Sequence, residues 1–193
     1  MSSYNDVMAL KTPEVQDLEE TLDPEMKKYF ALCEEKLGII PNVLIAYASR
    51  PNKLRHFVSF YNEIMLGPSG LSKLDREMIA LVVSSANHCY YCVVAHGQAV
   101  RKMSGEPELA EMLVTNYRVA RLSERVKAML DFSQKLTVTP NLIDDLDRKV
   151  LRDAGFTDDE IFDIADTAGF FNMSNRVASG LDIRPNIEYH HRN

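Results

Sequence analysis

Long apolar runs, excess basic charge, strand-like alternation and cysteine are all scarce in this sequence, and each scarcity removes a class of function. No apolar stretch approaches the ~18 residues that a bilayer-spanning helix needs. The opening MSSYNDVMALKTPEV carries neither the charged nor the apolar region of a secretory signal, so the expected location is the cytoplasm. Lys and Arg together number 22 against 28 Asp and Glu, giving a formal charge of -6. That balance excludes a basic nucleic-acid footprint and a polybasic membrane patch. Three cysteines in 193 residues are too few, and odd in number, for a secreted disulfide framework. In a reducing compartment a close cysteine pair is more often catalytic or metal-binding than structural.

What the chain has in quantity is apolar residues at helical spacing. Hydrophobic residues make up 46 % of it, enough for a sizeable core and too many for disorder. Residues 13–37 read as a helix closed by Gly38, and a further helix starts near Val43. Leu54, Phe57, Val58, Tyr61 and Met65 form an i, i+3, i+4, i+7 stripe after Pro51. Gly67, Pro68, Ser69 and Gly70 break the pattern, and Ser72 with Asp75 opens the next helix, 73–86. That helix is apolar all round from Met78 to Val83, the mark of a buried element. Another runs from Cys89 to Met103. The C-terminal third continues with helices at 108–118, 122–137 and 143–154 and a long one from the Thr157–Glu160 capping box to Ser179. The tail from Pro185 reads as polar and extended. The fold class is all-α.

The chemistry concentrates in the segment EMIALVVSSANHCYYCVVAH, residues 77–96. Cys89, Cys92 and His96 are spaced by three and four, so they share one helix face. Cysteines one helical turn apart can close a disulfide, and one held in a helix is strained and easier to reduce. The helix N-terminus favours thiolate over thiol. His96, one turn beyond Cys92, is placed to handle the proton. Glu77 lies on a helix so apolar that its carboxylate is costly unless paired. An antiparallel hairpin of the two helices brings it toward His96. Blander readings stand beside these. The thiols can be inert core or, with His96 and Cys33, a structural zinc site, although zinc wants four protein ligands. His88 reads as a cap or loop residue and Cys33 as a small buried hydrophobe. Asn172, Asn175 and Arg176 fit either an anion-binding group or ordinary capping and interface contacts. Tyr61, Phe170 and Phe171 read as core.

The pattern E-x11-C-x-x-C-x-x-x-H resembles the AhpD-like alkylhydroperoxidases of the carboxymuconolactone decarboxylase superfamily, in particular their peroxidase-related subgroup. PNV at 41–43, GPSGLSK at 67–73, REMIALVVSSANHCYYCVVAHG at 76–97, FNMSNRVA at 171–178 and EYH at 188–190 extend the likeness over most of the chain. The resemblance implies one all-helical domain over 1–193, with N-terminal helices in 1–70, a catalytic helix hairpin in 71–105 and C-terminal helices in 106–193. It implies a homo-oligomer, trimeric or hexameric. It further implies a hydroperoxide substrate, Cys92 as the peroxidatic residue, Cys89 as the resolving one, and Glu77 with His96 as a proton relay. No bound cofactor or metal is implied; the reductant is an external dithiol such as a lipoyl group on a partner protein. Well-described members carry a histidine between the cysteines, where this chain has Tyr91. A phenol with a pKa near ~10 is a poorer base but can still hydrogen-bond. The superfamily's other branch supplies the alternative of a ring-opening or decarboxylating enzyme.

Overall fold

The computed structural model describes residues 7–10 and 22–191, and among these it contains helix and turn but no strand. The first part of the expected 13–37 helix therefore lies outside the described residues. Helix α1 (Pro24–Leu37) starts where Asp23 accepts from the backbone N–H groups of Glu25 and Met26, and it ends at Gly38, whose φ of 64° is left-handed. Such an ending favours a residue without a Cβ. After α2 (Asn42–Ala48) and a short turn, Pro51 opens α3 (Pro51–Leu66) rather than breaking it. Proline suits the first helical position, where its missing N–H has no intrahelical partner.

Helix α4 (Lys73–Ala86) is the centre of the molecule. Ser72 and Asp75 cap it reciprocally, as their spacing predicts. Helices α3, α5 (Tyr90–Ser104), α6 (Pro107–Asn116), α7 (Glu124–Val138) and α9 (Asp158–Gly180) all pack on it. Every residue from Arg76 to Ser84 is consequently buried, including one arginine and one glutamate. Arg76 is tolerated because its Nη1 donates to the carbonyls of Ile64 and Gly67, at 2.9 and 3.0 Å, where α3 ends. The main core gathers Ile79, Leu81 and Val83 with Leu113, Met129, Leu130, Ile164 and Phe171. Helix α8 (Asp145–Asp153) is short and packs mainly on α7.

A second cluster forms between α1, α2 and α3 around Phe30, Leu44 and Leu54. A third, smaller one holds Met8, Ala46, Cys89, Tyr91, Cys92, Ala178 and Ile183. The two cysteines thus sit where α2, the start of α5 and the end of α9 converge.

The tail departs from the extended form expected of it. Residues Glu188–His191 form a short helix, α10, that lies on α5. The cause is a side-chain clamp far apart in sequence. The Asn42 backbone N–H donates to Asn186 Oδ1 at 2.8 Å, Asn186 Nδ2 donates to the Ile40 carbonyl at 2.9 Å, and Asn42 Nδ2 donates to the Arg184 carbonyl at 2.8 Å. The Arg184 and Ala9 amides also bond the carbonyls of Val7 and Leu181. Local composition reads as polar tail; these partners are over a hundred positions away, and no local pattern announces them.

Because α4 is enclosed on all sides, truncating it leaves a cavity that neighbours cannot fill. Leu81→Ala is expected to lower unfolding free energy by about 2–5 kcal/mol in chemical denaturation. A loss below about 1 kcal/mol would show that α4 is not the packed centre.

Candidate active site

The turn between α4 and α5 sets the position of the thiols. Asn87 donates its N–H to Val83, His88 to Ser85 and Cys89 to Ser84, so α4 unwinds in one tight step. His88 takes a left-handed φ of 53° within it. Cys89 is the N-cap of α5 and Cys92 follows one turn in. Both are buried, and neither is in a disulfide.

The two thiols, one turn apart at the start of α5, are placed to share a proton. Side-chain hydrogen bonding with Cys92 is the largest influence on Cys89 and brings its thiol down to about 6. The Cys92 amide, Ser179 and the charge of His96 act in the same direction, and burial opposes them. The cap forms no side-chain hydrogen bond of ordinary geometry, so the amide's part is an electrostatic one through the helix N-terminus. Cys92 is pushed well above the ordinary thiol range, first by the same bond to Cys89, then by burial and by the Cys89 charge; Asn175 and Ser84 pull it back. The influences thus run in opposite directions, favouring ionisation of Cys89 and holding the proton on Cys92.

Glu77 and His96 meet across the α4–α5 hairpin. His96 Nδ1 lies 2.6 Å from Glu77 Oε2, and both residues are buried. The imidazole also meets the edge of Phe171, with ring centroids 4.6 Å apart. With Nδ1 committed to the carboxylate, Nε2 is the nitrogen left for proton transfer.

A polar network that spacing does not reveal surrounds Cys92. Asn175, 1 % exposed, donates to Ser84 Oγ at 3.0 Å. Asn87 Nδ2 donates to both Asn175 and Asn172. Ser84 and Ser179 are the residues near the thiols missed by motif reasoning, whereas Asn175, read as an anion-binding or capping residue, lies beside Ser84 instead. Ser84 left a trace, since it is a small polar residue ending a wholly buried apolar run. Arg176 is not brought to the thiols: it donates to the carbonyl and side chain of Asn172 on its own helix.

Tyr91 is fixed as well. Its hydroxyl accepts from the Val43 N–H at 3.2 Å, and burial raises its pKa well above the phenol range. It tethers α2. Burial likewise lifts Cys33 to about 11, so its thiol stays protonated. Among the described residues no three His, Cys, Asp or Glu side chains come together to hold a metal, which leaves the zinc reading without a ligand set there. No helix among them is long and apolar enough to cross a membrane.

Two cavities reach the thiol pair. One, of about 130 Å³, is lined by Cys92, His96, Tyr61, Phe57, Phe170 and Phe171 among others. The aromatic residues read from sequence as core therefore also wall a cavity. The other, of about 310 Å³, is lined by Cys89, His88, Ser179 and the tail.

Comparison with known proteins places relatives around this geometry. Residues 51–135 match the carboxymuconolactone decarboxylase family. An uncharacterized peroxidase-related protein from Silicibacter sp. TM1040 has a solved structure that is 54% identical, with a TM-score of 0.93, the match covering 100% of this chain and 98% of that one. A peroxidase-related protein from Ralstonia eutropha JMP134, described as an alkylhydroperoxidase AhpD core, is 36% identical with a TM-score of 0.91, covering 97% and 96%. Alkyl hydroperoxide reductase AhpD of Gluconacetobacter diazotrophicus is 38% identical over 85 residues, which is 44% of this chain and 41% of that protein. The chain thus matches about two fifths of that relative's length.

The lowered Cys89 value sets the direction of a pH experiment: the thiolate is present above about 6 and protonated below it. Thiolate absorbance near ~240 nm should rise by one group per chain through that pH and vanish in Cys89→Ser. A first ionisation at the ordinary ~8.5 would contradict the shared-proton pair.

Proposed function

This chain belongs to the AhpD-like branch of the carboxymuconolactone decarboxylase superfamily, among its peroxidase-related proteins, and from that premise we propose that it reduces organic hydroperoxides through a Cys89–Cys92 dithiol–disulfide cycle. The observation that carries the reading is a pair of neighbouring buried thiols beside a buried imidazole–carboxylate pair, with Cys92 and His96 lining one largely apolar cavity.

The cycle follows from the site's own groups. Cys92 passes its proton to the Cys89 thiolate and attacks the distal oxygen of the hydroperoxide. The O–O bond breaks, Cys92 becomes a sulfenic acid, and the alkoxide takes a proton from His96, which solvent later restores. Glu77 holds the imidazole in place and balances its charge during that transfer. The Cys89 sulfur then attacks Cys92, forming the S–S bond, and hydroxide leaves as water with the Cys89 proton. The reductant is an external dithiol, of which a lipoyl group is one form. Nothing in this sequence of steps calls on a metal or a bound cofactor.

The apolar cavity suits the alkyl or aryl part of such a substrate. Among the described residues it is lined by no lysine or arginine, which disfavours the decarboxylase-like alternative with its carboxylated substrates. Self-association to a trimer or hexamer fits Leu142, Leu146 and Val150, spaced by four and exposed at 56%, 69% and 54%. A reducing compartment such as the cytoplasm suits a thiol pair that must be re-reduced.

Denatured protein holds three titratable thiols. One equivalent of cumene hydroperoxide is expected to remove two of them and leave Cys33. Cys92→Ser should keep its thiols and lose dithiol-dependent peroxidase turnover. Undiminished turnover in that variant would end the assignment.

A further inference from the structure

We infer that the groove on the Cys89 flank is the entry site for a thiol reductant, so that oxidant and reductant reach the disulfide through two separate cavities. The inference rests on the thiol cycle proposed above and adds to it a second binding site.

The division of the walls is the first observation. Cys92 and His96 line the aromatic cavity and Cys89 does not; Cys89 lines the groove and Cys92 does not. Tyr91 alone borders both. Ser179, whose side chain hydrogen-bonds the Cys89 thiol, stands on the groove side. The apolar cavity is small, about 130 Å³, whereas the groove measures about 310 Å³. Its rim is polar, with the Arg184–Asp182 ion pair at 2.9 Å and Tyr90 near His190. A polar rim over a buried sulfur suits a flexible thiol arm better than an alkyl hydroperoxide.

Backbone conformation is a second, independent observation. His88 and Asp182 are the two non-glycine residues with positive φ among the described residues, at 53° and 49°. They lie on different turns, before α5 and after α9, yet both line this groove. Unusual backbone held by its surroundings gathers at binding sites more than elsewhere.

The chemistry assigns each sulfur its part. A reductant thiolate in the groove attacks the Cys89 sulfur. The Cys89–Cys92 bond breaks and Cys92 leaves as a thiolate, accepting hydrogen bonds from Asn175 and Ser84. In that mixed disulfide the Cys89 sulfur is bonded to the reductant and carries no charge, so its hydrogen bond and its charge no longer raise Cys92, and burial is the opposing influence that remains. The reductant's second thiol then passes its proton to the Cys92 thiolate and attacks its own bridged sulfur, closing the reductant's disulfide and releasing the Cys89 thiolate. Two electrons pass from the reductant dithiol to the protein.

The test separates the two half-reactions with one wall substitution in each cavity. Ile187 lines the groove and Leu37 the aromatic cavity, and both are exposed at the surface, so each accepts tryptophan without disturbing the core. Protein oxidised with diamide is reduced by free dihydrolipoamide or by a dihydrolipoylated carrier domain, and thiol recovery is followed. Reduced protein is separately oxidised with cumene hydroperoxide. Ile187→Trp should slow reduction about tenfold or more, with oxidation unchanged. Leu37→Trp should do the reverse. Slowing with both dithiols marks a small reductant as sufficient, and slowing with the carried dithiol alone marks a protein-borne one. Equal effects of each variant on both half-reactions, or none, would overturn the two-cavity assignment. Oxidation by diamide without oxidation by peroxide would instead remove the peroxidase reading and leave the groove standing.

Discussion

A carboxylate and an imidazole, each costly to bury alone, satisfy one another across the α4–α5 hairpin, and the rest of the site is arranged around that contact. Removing one member of such a buried pair typically costs about 3–5 kcal/mol, because the other is left without a partner. The contact therefore fixes the register of the two helices, and with it the distance from the His96 ring to the thiols one turn away. Helix α4 can hold Glu77 so deep because five other helices pack around it. The geometry of the candidate site is in this sense a product of core packing.

On that frame, the thiol pair has two unlike halves. Cys89 sits at the helix start, where the Cys92 side chain first, then the Cys92 amide and Ser179, lower its thiol. Cys92 lies deeper, within reach of Asn175 and Ser84, and faces the aromatic cavity.

Much of this was legible in the sequence, and the reasons are physical. Helical period and capping pairs are local, so Ser72–Asp75 and Thr157–Glu160 marked their helix starts correctly. The spacing of Cys89, Cys92 and His96 is likewise local to one helix. Glu77 was legible through cost, since an isolated acid in an apolar run needs a partner. The tail was not, because Asn42 and Asn186 meet across more than a hundred residues. Nor was the Ser84–Asn175–Asn87 network, whose members look like ordinary helix polar residues until α9 is laid along α4. Tyr91, at the position where the resemblance leads one to expect histidine, is bonded to α2, a tertiary role that no local pattern specifies.

The central claim is that Glu77 acts on the thiols by way of His96. The direct measurement is the rate of peroxide-driven disulfide formation in Glu77→Gln, which keeps the shape and a hydrogen bond but removes the charge. The account predicts a native-like circular dichroism spectrum and a rate lowered about a hundredfold. A folded variant that closes its disulfide as fast as the native protein would contradict it.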